Sequence, residues 1–222
     1  MEQQQLRVVI TGASGMVGEG VLHECLNSPH VEHVVVLGRK PCGHKHPKLT
    51  EIIHADFLDI TPIADQLQNY NACFFCLGVS SIGLSEQEYV TLTHTLTMHV
   101  AEILARQNPD MTFCYVSGKG TDGTEKGNSM WARVKGKTEN DVMKLPFKRA
   151  FAFRPGYIHP TKGLLNTLSF YKYIMWLYPV LKVIAPSYGS TLREIGLAMI
   201  RVATKGYSKN VLEVPDIIDA AK

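Results

Sequence analysis

Apolar runs of strand length alternate along most of the chain with longer segments of helical periodicity. This alternation predicts βαβ units and a parallel sheet. The predicted strands are Leu6–Ile10, Val34–Leu37, Glu51–Ile53, Ala72–Leu77, Met111–Val116, Arg149–Arg154 and Val211–Val214. The second of them is rich in Val, as expected of a strand that is covered on both faces. We therefore expect a doubly wound α/β sheet of about seven strands, mostly parallel.

Helical periodicity fills the segments between these strands. The predicted helices are Val17–Leu26, Ile63–Gln68, Glu86–Gln107, Trp131–Lys144 and Thr191–Ala203. Ser85 is a suitable N-cap for the longest one, and Glu88 completes a capping box. From Tyr157 to Ser190 the βαβ rhythm is lost, and Tyr, Leu and Pro become frequent. We therefore divide the chain into a sheet domain, residues 1–156, and a small C-terminal lobe, residues 157–222, that completes the same domain.

The composition narrows the class of protein. The chain has 222 residues, of which 45% are hydrophobic and 19% charged, as in ordinary soluble proteins. A net charge of +3 is too small to indicate a nucleic-acid partner. Met1–Arg7 is polar and shows no targeting segment. The apolar stretch Phe170–Pro186 contains Lys172, Lys182 and Pro179, so we expect no membrane span.

The five cysteines are spread through apolar runs and are odd in number. This pattern indicates reduced thiols rather than a disulfide framework, and from it we expect a cytoplasmic protein. Cys73 and Cys76 resemble a redox or metal pair. Residues three apart on a strand point to opposite faces, so we expect a buried apolar role for both. His44, His46 and His54 have no recognised ligand spacing, and we expect no metal site.

The most informative motif is a glycine turn between the first strand and the first helix. It reads Thr11-Gly12-Ala13-Ser14-Gly15-Met16-Val17-Gly18. In a dinucleotide-binding turn the first glycine permits the tight turn and the second lets the pyrophosphate approach the backbone. The third lets helix and strand pack closely, and these roles fall to Gly12, Gly15 and Gly18. The helix N-terminus then offers unpaired N–H groups to the phosphates. Strand, motif and helix come in the required order, which predicts a Rossmann-type nucleotide-binding domain.

The residue after the second strand predicts which nucleotide is bound. This segment reads Leu37-Gly38-Arg39-Lys40 and contains no acidic residue. In NAD-binding proteins an acidic side chain holds the ribose 2′-hydroxyl here, whereas an Arg can pair with the 2′-phosphate of NADP. Arg39 therefore predicts NADP(H), with NAD as the less favoured cofactor. The alternative is a solvated basic loop, which Lys45 and Lys48 would also suit.

Further segments follow in the order of a known family. They are Asp56-Phe57 after the third strand, Cys76-Leu77-Gly78 after the fourth, Val134-Lys135-Gly136, and Phe153-Arg154-Pro155-Gly156. With the glycine turn they resemble the extended and atypical short-chain dehydrogenases, including NAD-dependent epimerases or dehydratases. The most similar branch is that of the Tat-interacting-protein-like oxidoreductases. The motif and the resemblance together imply that the cofactor contacts Gly12, Ser14, Gly15, Met16, Gly18, Arg39, Asp56, Phe57, Leu77, Gly78, Lys135 and Pro155.

The catalytic residues of this family are only partly present. The resemblance implies a general acid–base Tyr four residues before a Lys that lowers its pKa and binds the nicotinamide ribose. Lys135 is present, but Trp131 stands at the Tyr position, and indole has no titration near neutral pH. The family also places a Ser after the fifth strand to hold the substrate oxygen. That position corresponds to Ser117 or to Gly118.

Two hypotheses follow from this incomplete set. In the first, another acid replaces the Tyr, with Tyr157, His159 and Lys119 as candidates. Ser117, Lys135, Tyr157 and His159 are then the expected catalytic residues of an oxidoreductase, or an epimerase- or dehydratase-like enzyme, that acts on a carbonyl or hydroxyl compound. In the second, the protein binds NADPH without turnover, as a sensor or regulator. The small-molecule substrate is not identified by the fold, and a homodimer is an option that the sequence leaves open.

The expected lobe carries an aromatic stripe. It comprises Phe170, Tyr171, Tyr173, Trp176 and Tyr178. Such a stripe favours a substrate lid or core packing, and the alternative is a docking surface for a membrane or a partner.

Overall fold

Seven parallel strands form the main sheet of the computed structural model, which describes residues 5–166 and 187–222. The described residues form nine strands, seven of which belong to this sheet. They are β1 (Leu6–Thr11), β2 (Val31–Gly38), β3 (Leu49–Ile53), β4 (Ala72–Phe75), β5 (Thr112–Val116), β6 (Arg149–Arg154), β7 (Tyr157–His159), β8 (Gly189–Thr191) and β9 (Val211–Glu213). The main sheet has the order β3-β2-β1-β4-β5-β6-β9, and β7 pairs with β8 separately. The predicted Rossmann-type sheet is confirmed. The apolar stretch Phe170–Pro186 and its aromatic stripe lie outside the described residues.

Helices cover both faces of the sheet. They are α1 (Met16–Asn27), α2 (Glu86–Val90), α3 (Leu96–Gln107), α4 (Met130–Val142), α5 (Leu192–Lys205) and α6 (Val214–Ala220), and a 3₁₀ helix spans Thr61–Leu67. A π-helical turn, Thr91–Thr95, joins α2 to α3, so the long predicted helix is interrupted rather than regular. The predicted capping box is confirmed. Ser85 Oγ accepts from the Glu88 amide at 3.3 Å, and the Glu88 carboxylate accepts from the Ser85 amide at 2.8 Å.

Alternate residues of the central strands face two separate cores, one on each side of the sheet. Val8 and Ile10 of β1 pack with α1 and α5, whereas Val9 packs with α3 and the 3₁₀ helix. The strands β2, β4 and β5 repeat this alternation. Both faces of each strand must therefore be apolar, which explains the nearly continuous apolar runs in the sequence.

The same alternation decides the role of the two neighbouring cysteines. Cys73 belongs to the core on the α3 side, whereas Cys76 packs against the core on the α1 side. The two thiols are therefore separated by the sheet, and burial raises the pKa of Cys76 to about 12. All five cysteines are free. Cys73 is buried as predicted, whereas Cys76 is partly buried.

Part of the C-terminal segment belongs to the main sheet and its layers. Strand β9 extends the sheet at its edge, and α5 packs closely on α1. A Cβ at Gly196 would lie 2.7 Å from the Glu24 side chain, so the two helices approach almost backbone to backbone. The sequence analysis missed α6, which begins at Val214 where we expected a strand to end. Within the two described ranges, no helix is both long enough and apolar enough to cross a bilayer.

Candidate cofactor and active site

The glycine turn has the geometry that its spacing predicts. Gly12 has a φ of 73°, and a Cβ there would lie 2.7 Å from the backbone of Cys76 and Leu77 at the end of β4. A Cβ at Gly18 would overlap the carbonyl oxygen of Gly12. Gly15 differs, because it is exposed at the N-cap of α1 and its Cβ would meet nothing closer than 3.4 Å. The fold itself therefore requires Gly12 and Gly18, whereas Gly15 keeps an approach to the helix N-terminus open.

A crevice opens above this turn at the carboxyl ends of the strands. Its larger cavity, of about 420 Å³, is lined by the glycine turn and by the segment that follows β2. A smaller cavity of about 150 Å³ shares Arg39, Phe57 and Leu77 with it. The crevice lies where the strand order reverses between β1 and β4, which is the place where doubly wound sheets bind ligands.

The structure brings together half of the residues that were expected to contact the cofactor. Those that line the two cavities are Gly12, Ser14, Arg39, Asp56, Phe57 and Leu77. Gly15 and Met16 directly follow Ser14, and Gly78 directly follows Leu77. Gly18 lies beneath the turn. Lys135 and Pro155 line neither cavity and lie near the end of β5.

The sequence analysis missed two parts of the crevice wall. Pro41 and Cys42 line the larger cavity, and Leu92 and Leu96 line the smaller one. The signal for the leucines was available, because residues four apart share one helix face. The π-helical turn starts beside Leu92 and therefore lies at the crevice itself. Pro41 and Cys42 carry no motif, and only the path of their loop reveals them.

Lys135 is held against the end of β5. Its Nζ donates to the Ser117 carbonyl oxygen at 2.5 Å, and burial lowers its pKa to about 8, against the opposing effect of Glu139. The Ser117 hydroxyl is buried and donates to Glu139 Oε1 at 2.5 Å. Arg154 completes this cluster, with Nε and Nη2 at 3.0 and 2.5 Å from the Glu139 carboxylate. The Ser117 hydroxyl is thus engaged with a buried ion pair.

Trp131 occupies the helix turn before Lys135, as the sequence indicates. Its indole is half-buried and lies against Gly120, where a Cβ would be 3.5 Å from Cη2. Gly120 and Gly118 have φ values of 89° and 148°, so the loop in front of the indole adopts a backbone that other residues avoid. A Ser at position 118, one of the two positions at which the resemblance implies a Ser, would be strained here.

The three candidate replacement acids lie on two segments, the loop after β5 and the short strand β7. Lys119 lies in the loop after β5, with its amide donating to the Pro155 carbonyl at 2.8 Å and its Nζ 4.5 Å from the centroid of the Tyr188 ring. His159 lines a third cavity, of about 440 Å³, that shares no residue with the crevice. Burial lowers the pKa of His159. Tyr157 begins β7, and its amide donates to the Tyr188 carbonyl at 2.8 Å.

Fold and crevice together define an NAD(P)-binding protein of the Rossmann class. A model described as the NAD dependent epimerase/dehydratase family matches residues 8–136, which is more than half of the chain. The chain belongs to that family. The resemblance inferred from the sequence is therefore confirmed, and an NAD(P)-binding protein of the oxidoreductase type is the function class that membership supports.

Individual relatives agree with this assignment. The chain is 27% identical over 159 residues to protein HTATIP2 of Rattus norvegicus, covering 71% of this chain and 64% of that protein. It is 28% identical over 158 residues to the mitochondrial protein fmp52 of Emericella nidulans, covering 68% of this chain and 66% of that protein. The chain thus spans somewhat less than two thirds of the length of these relatives.

Solved structures show the same fold. The Bordetella bronchiseptica enzyme WbmF, in complex with NAD+, superposes with a TM-score of 0.67 at 15% identity, covering 100% of this chain and 78% of that one. At this identity the likeness concerns the fold alone.

The relatives correct one expectation. The cytoplasmic location expected from the cysteines is contradicted, because the fungal relatives are named as mitochondrial proteins. The physical reason is that free thiols indicate a reducing environment and do not identify a compartment.

Proposed function

We propose that this protein binds NADP(H) and uses it in an oxidoreductase reaction on a carbonyl or hydroxyl compound. The observation that carries the proposal is the position of Arg39. It follows β2 directly, is exposed, and lines both cavities of the crevice. A guanidinium there suits a 2′-phosphate, because charge-assisted and bidentate pairing is strong.

The rest of the crevice fits a dinucleotide. Gly15 leaves the N-terminus of α1 open to a pyrophosphate, and Phe57 and Leu77 form apolar walls between the two cavities. Asp56 borders the smaller cavity, with a carboxylate that can accept from an exocyclic amine. When bound, such a cofactor supplies or accepts a hydride.

Side chains of the protein must supply the proton for the reaction and orient the substrate and the nicotinamide. We assign Lys135 to the nicotinamide ribose, since it lies one helix turn from Trp131 beside the end of β5. Tyr157 and His159 remain our candidates for the acid, and Ser117 for the substrate oxygen. The engagement of the Ser117 hydroxyl with Glu139 means that it must rotate away before it can contact a substrate.

One observation favours a second function, an NADPH-binding sensor without turnover. Both groups that the family uses for acid–base chemistry are replaced or engaged here. Trp131 has no proton to exchange near neutral pH, and the Ser117 hydroxyl already donates to a buried carboxylate. Such a protein would bind the cofactor in the crevice without catalysing proton or hydride transfer.

Calorimetry with NADPH and NADH tests the cofactor assignment. We expect the wild type to bind NADPH about 10- to 150-fold more tightly, because a hydrogen bond to a charged group contributes about 1.5–3 kcal/mol. Arg39→Ala should remove this preference. Lys45→Ala is the matched control, since it removes a charge from the same loop but lines neither cavity. Equal affinities of the wild type for both nucleotides would overturn the proposal.

NADPH oxidation separates enzyme from sensor. The assay follows NADPH absorbance with aldehydes, ketones, quinones and nucleotide sugars. The enzyme hypothesis expects turnover of some compound, and loss of most of it in Tyr157→Phe or His159→Ala. Turnover that survives both substitutions would remove them as acids. Tight NADPH binding without oxidation by any compound of the panel would favour the sensor over the enzyme.

A further inference from the structure

A buried carboxylate lies directly behind the glycine turn. Glu19 follows Gly18 in the first turn of α1, and its side chain is 1% exposed. It accepts three hydrogen bonds, all from other parts of the chain. His44 Nε2 lies 3.1 Å from Oε1, the Leu165 amide 2.7 Å from Oε1, and the Asn166 amide 2.7 Å from Oε2. A carboxylate that is removed from water needs such partners, so it fixes the segments that provide them.

The first of these segments is the loop that carries Arg39. His44 lies near its middle, and a second carboxylate holds it from the other side, since the Cys42 amide donates to Glu51 Oε1 at 2.6 Å. Between these two attachments Gly43 has a φ of 82°, which lets the chain reverse there. Pro41 and Cys42 line the larger cavity. The two carboxylates therefore fix the shape of one cavity wall.

The second segment covers this loop from outside. A Cβ at Gly43 would lie 3.7 Å from Leu165 Cδ1, and Leu164 packs against the core. The amides of Leu165 and Asn166 reach Glu19 from this position. One carboxylate thus joins the first helix, the loop after β2 and residues 165–166.

We propose that Glu19 is a positioning residue for cofactor selection: by holding His44 and residues 165–166, it keeps the loop after β2 in the conformation that presents Arg39 to a 2′-phosphate. This inference rests on the proposed NADP(H) function. The role is distinct from that of Arg39, because Glu19 is buried behind the turn and lines neither cavity.

Glu19→Gln is the sharpest variant, since it keeps the size of the side chain. Its amide nitrogen cannot accept a hydrogen bond, so at least one of the three donors loses its partner. If the loop then adopts the competent conformation about a tenth of the time, the apparent Kd for NADPH rises about tenfold. NADH lacks the 2′-phosphate and would contact this loop only at the cavity wall formed by Pro41 and Cys42, so its Kd should change by less than about threefold.

Substitutions of His44 test the same attachment at a partly exposed site. His44→Leu should raise the NADPH Kd in the same way, whereas His44→Gln keeps a donor and should restore much of the selectivity. Glu24→Gln is the control, because Glu24 is a buried carboxylate of the same helix that contacts His23 and α5 instead of the loop. It should leave the NADPH-to-NADH ratio unchanged.

Calorimetry with both nucleotides measures these ratios, and hydrogen exchange of the amides of residues 42–46 reports the loop. Faster exchange in Glu19→Gln and His44→Leu, with the loss of selectivity, would support the inference. An unchanged ratio in both variants would overturn it while the wild-type preference for NADPH still stood. A wild type without that preference would overturn the proposed cofactor as well.

Discussion

The glycine turn at α1 and the region around Lys135 on α4 differ in how much of the family pattern they keep. Around the first helix every expected glycine is present, and Gly12 and Gly18 are in contacts that no other residue could make. Around α4 only Lys135 keeps its place, with Trp131 and the loop at Gly118 departing from the pattern. At the glycine turn the backbone of one element closely approaches that of another, so single positions must be glycine for the chain to fold. Around α4 the family pattern concerns the chemistry of side chains, which can be replaced without a large effect on folding.

This difference between the two regions means that cofactor binding and acid–base catalysis are preserved for different reasons. A turn that must pass within van der Waals contact of β4 has no alternative to Gly12. The half-buried position of Trp131 can carry Tyr or Trp with little effect on folding, so the fold alone does not preserve the acid. Cofactor binding is therefore the property that the structure supports most directly.

The glycine turn offers the strongest test of this contrast. Gly15→Val should reduce NADPH affinity about a thousandfold or more, because several charge-assisted bonds to the pyrophosphate are lost together. Its φ of −104° suits any residue, so the unfolding temperature should fall only a little, through the loss of a favourable N-cap residue. Gly18→Val, in contrast, should lower the stability as well, since its side chain would overlap the Gly12 backbone. Calorimetry and thermal unfolding of both variants measure the two effects. Retained binding by Gly15→Val would place the nucleotide elsewhere.

The buried carboxylate of the Glu139–Arg154 ion pair can be compared with that of the Glu86–Arg133 pair at the surface. Glu139 is 2% exposed and Glu86 is 56% exposed, and each pairs with an arginine. Glu139→Gln should cost about 3 kcal/mol, because the partly buried Arg154 then keeps only one carboxylate partner, Glu213 at 3.2 Å. Glu86→Gln should cost less than about 1 kcal/mol. Urea unfolding of both variants gives the values, and equal costs would contradict the structural role of Glu139.

Trp131→Tyr tests whether the missing acid is what limits chemistry. It restores a phenol one helix turn before Lys135, and general acid–base catalysis is worth about 10²–10⁴-fold. With Ser117 still engaged by Glu139, we expect the lower end, about a hundredfold more NADPH oxidation on the carbonyl panel. Adding Gly118→Ser should bring no further gain, since φ at that position is 148°. No gain from Trp131→Tyr would mean that the acid is not the limiting group.

The smallest expected effect is the contribution of Lys135 to the pH dependence of the free energy of unfolding. Burial lowers its pKa from 10.5 to about 8, so between these values the unfolded chain binds a proton that the folded one has released. Stability from this group therefore rises with pH from about 8 to 10.5. The shift allows at most about 3 kcal/mol, and partial solvent access lowers this to about 1–2 kcal/mol. The difference between the wild type and Lys135→Met in urea unfolding isolates it from the titrating cysteines. A difference that stays flat above pH 8 would contradict the lowered pKa.

Strands and helices were predicted correctly where the periodicity of apolar residues is strong, and the errors lie where that periodicity is weak. The strands of the main sheet follow from their apolar runs, and Ser85 begins its helix as its capping box indicates. The short strands β7 and β8 have three residues each and no periodicity to reveal them. Helix α6 was missed because Val211–Val214 looks like a continuous strand, although Pro215 favours a helix start.

The sequence by itself determined the doubly wound sheet, the glycine turn and the basic residue after β2. These depend on periodicity and on positions where one residue type is required, and both are local properties of the chain. Only the tertiary structure decided which side chains share a crevice, that Ser117 donates to Glu139, and that Glu19 holds His44 beside residues 165–166. Those contacts join residues up to 147 positions apart, and no local pattern encodes which distant donors a buried carboxylate will accept.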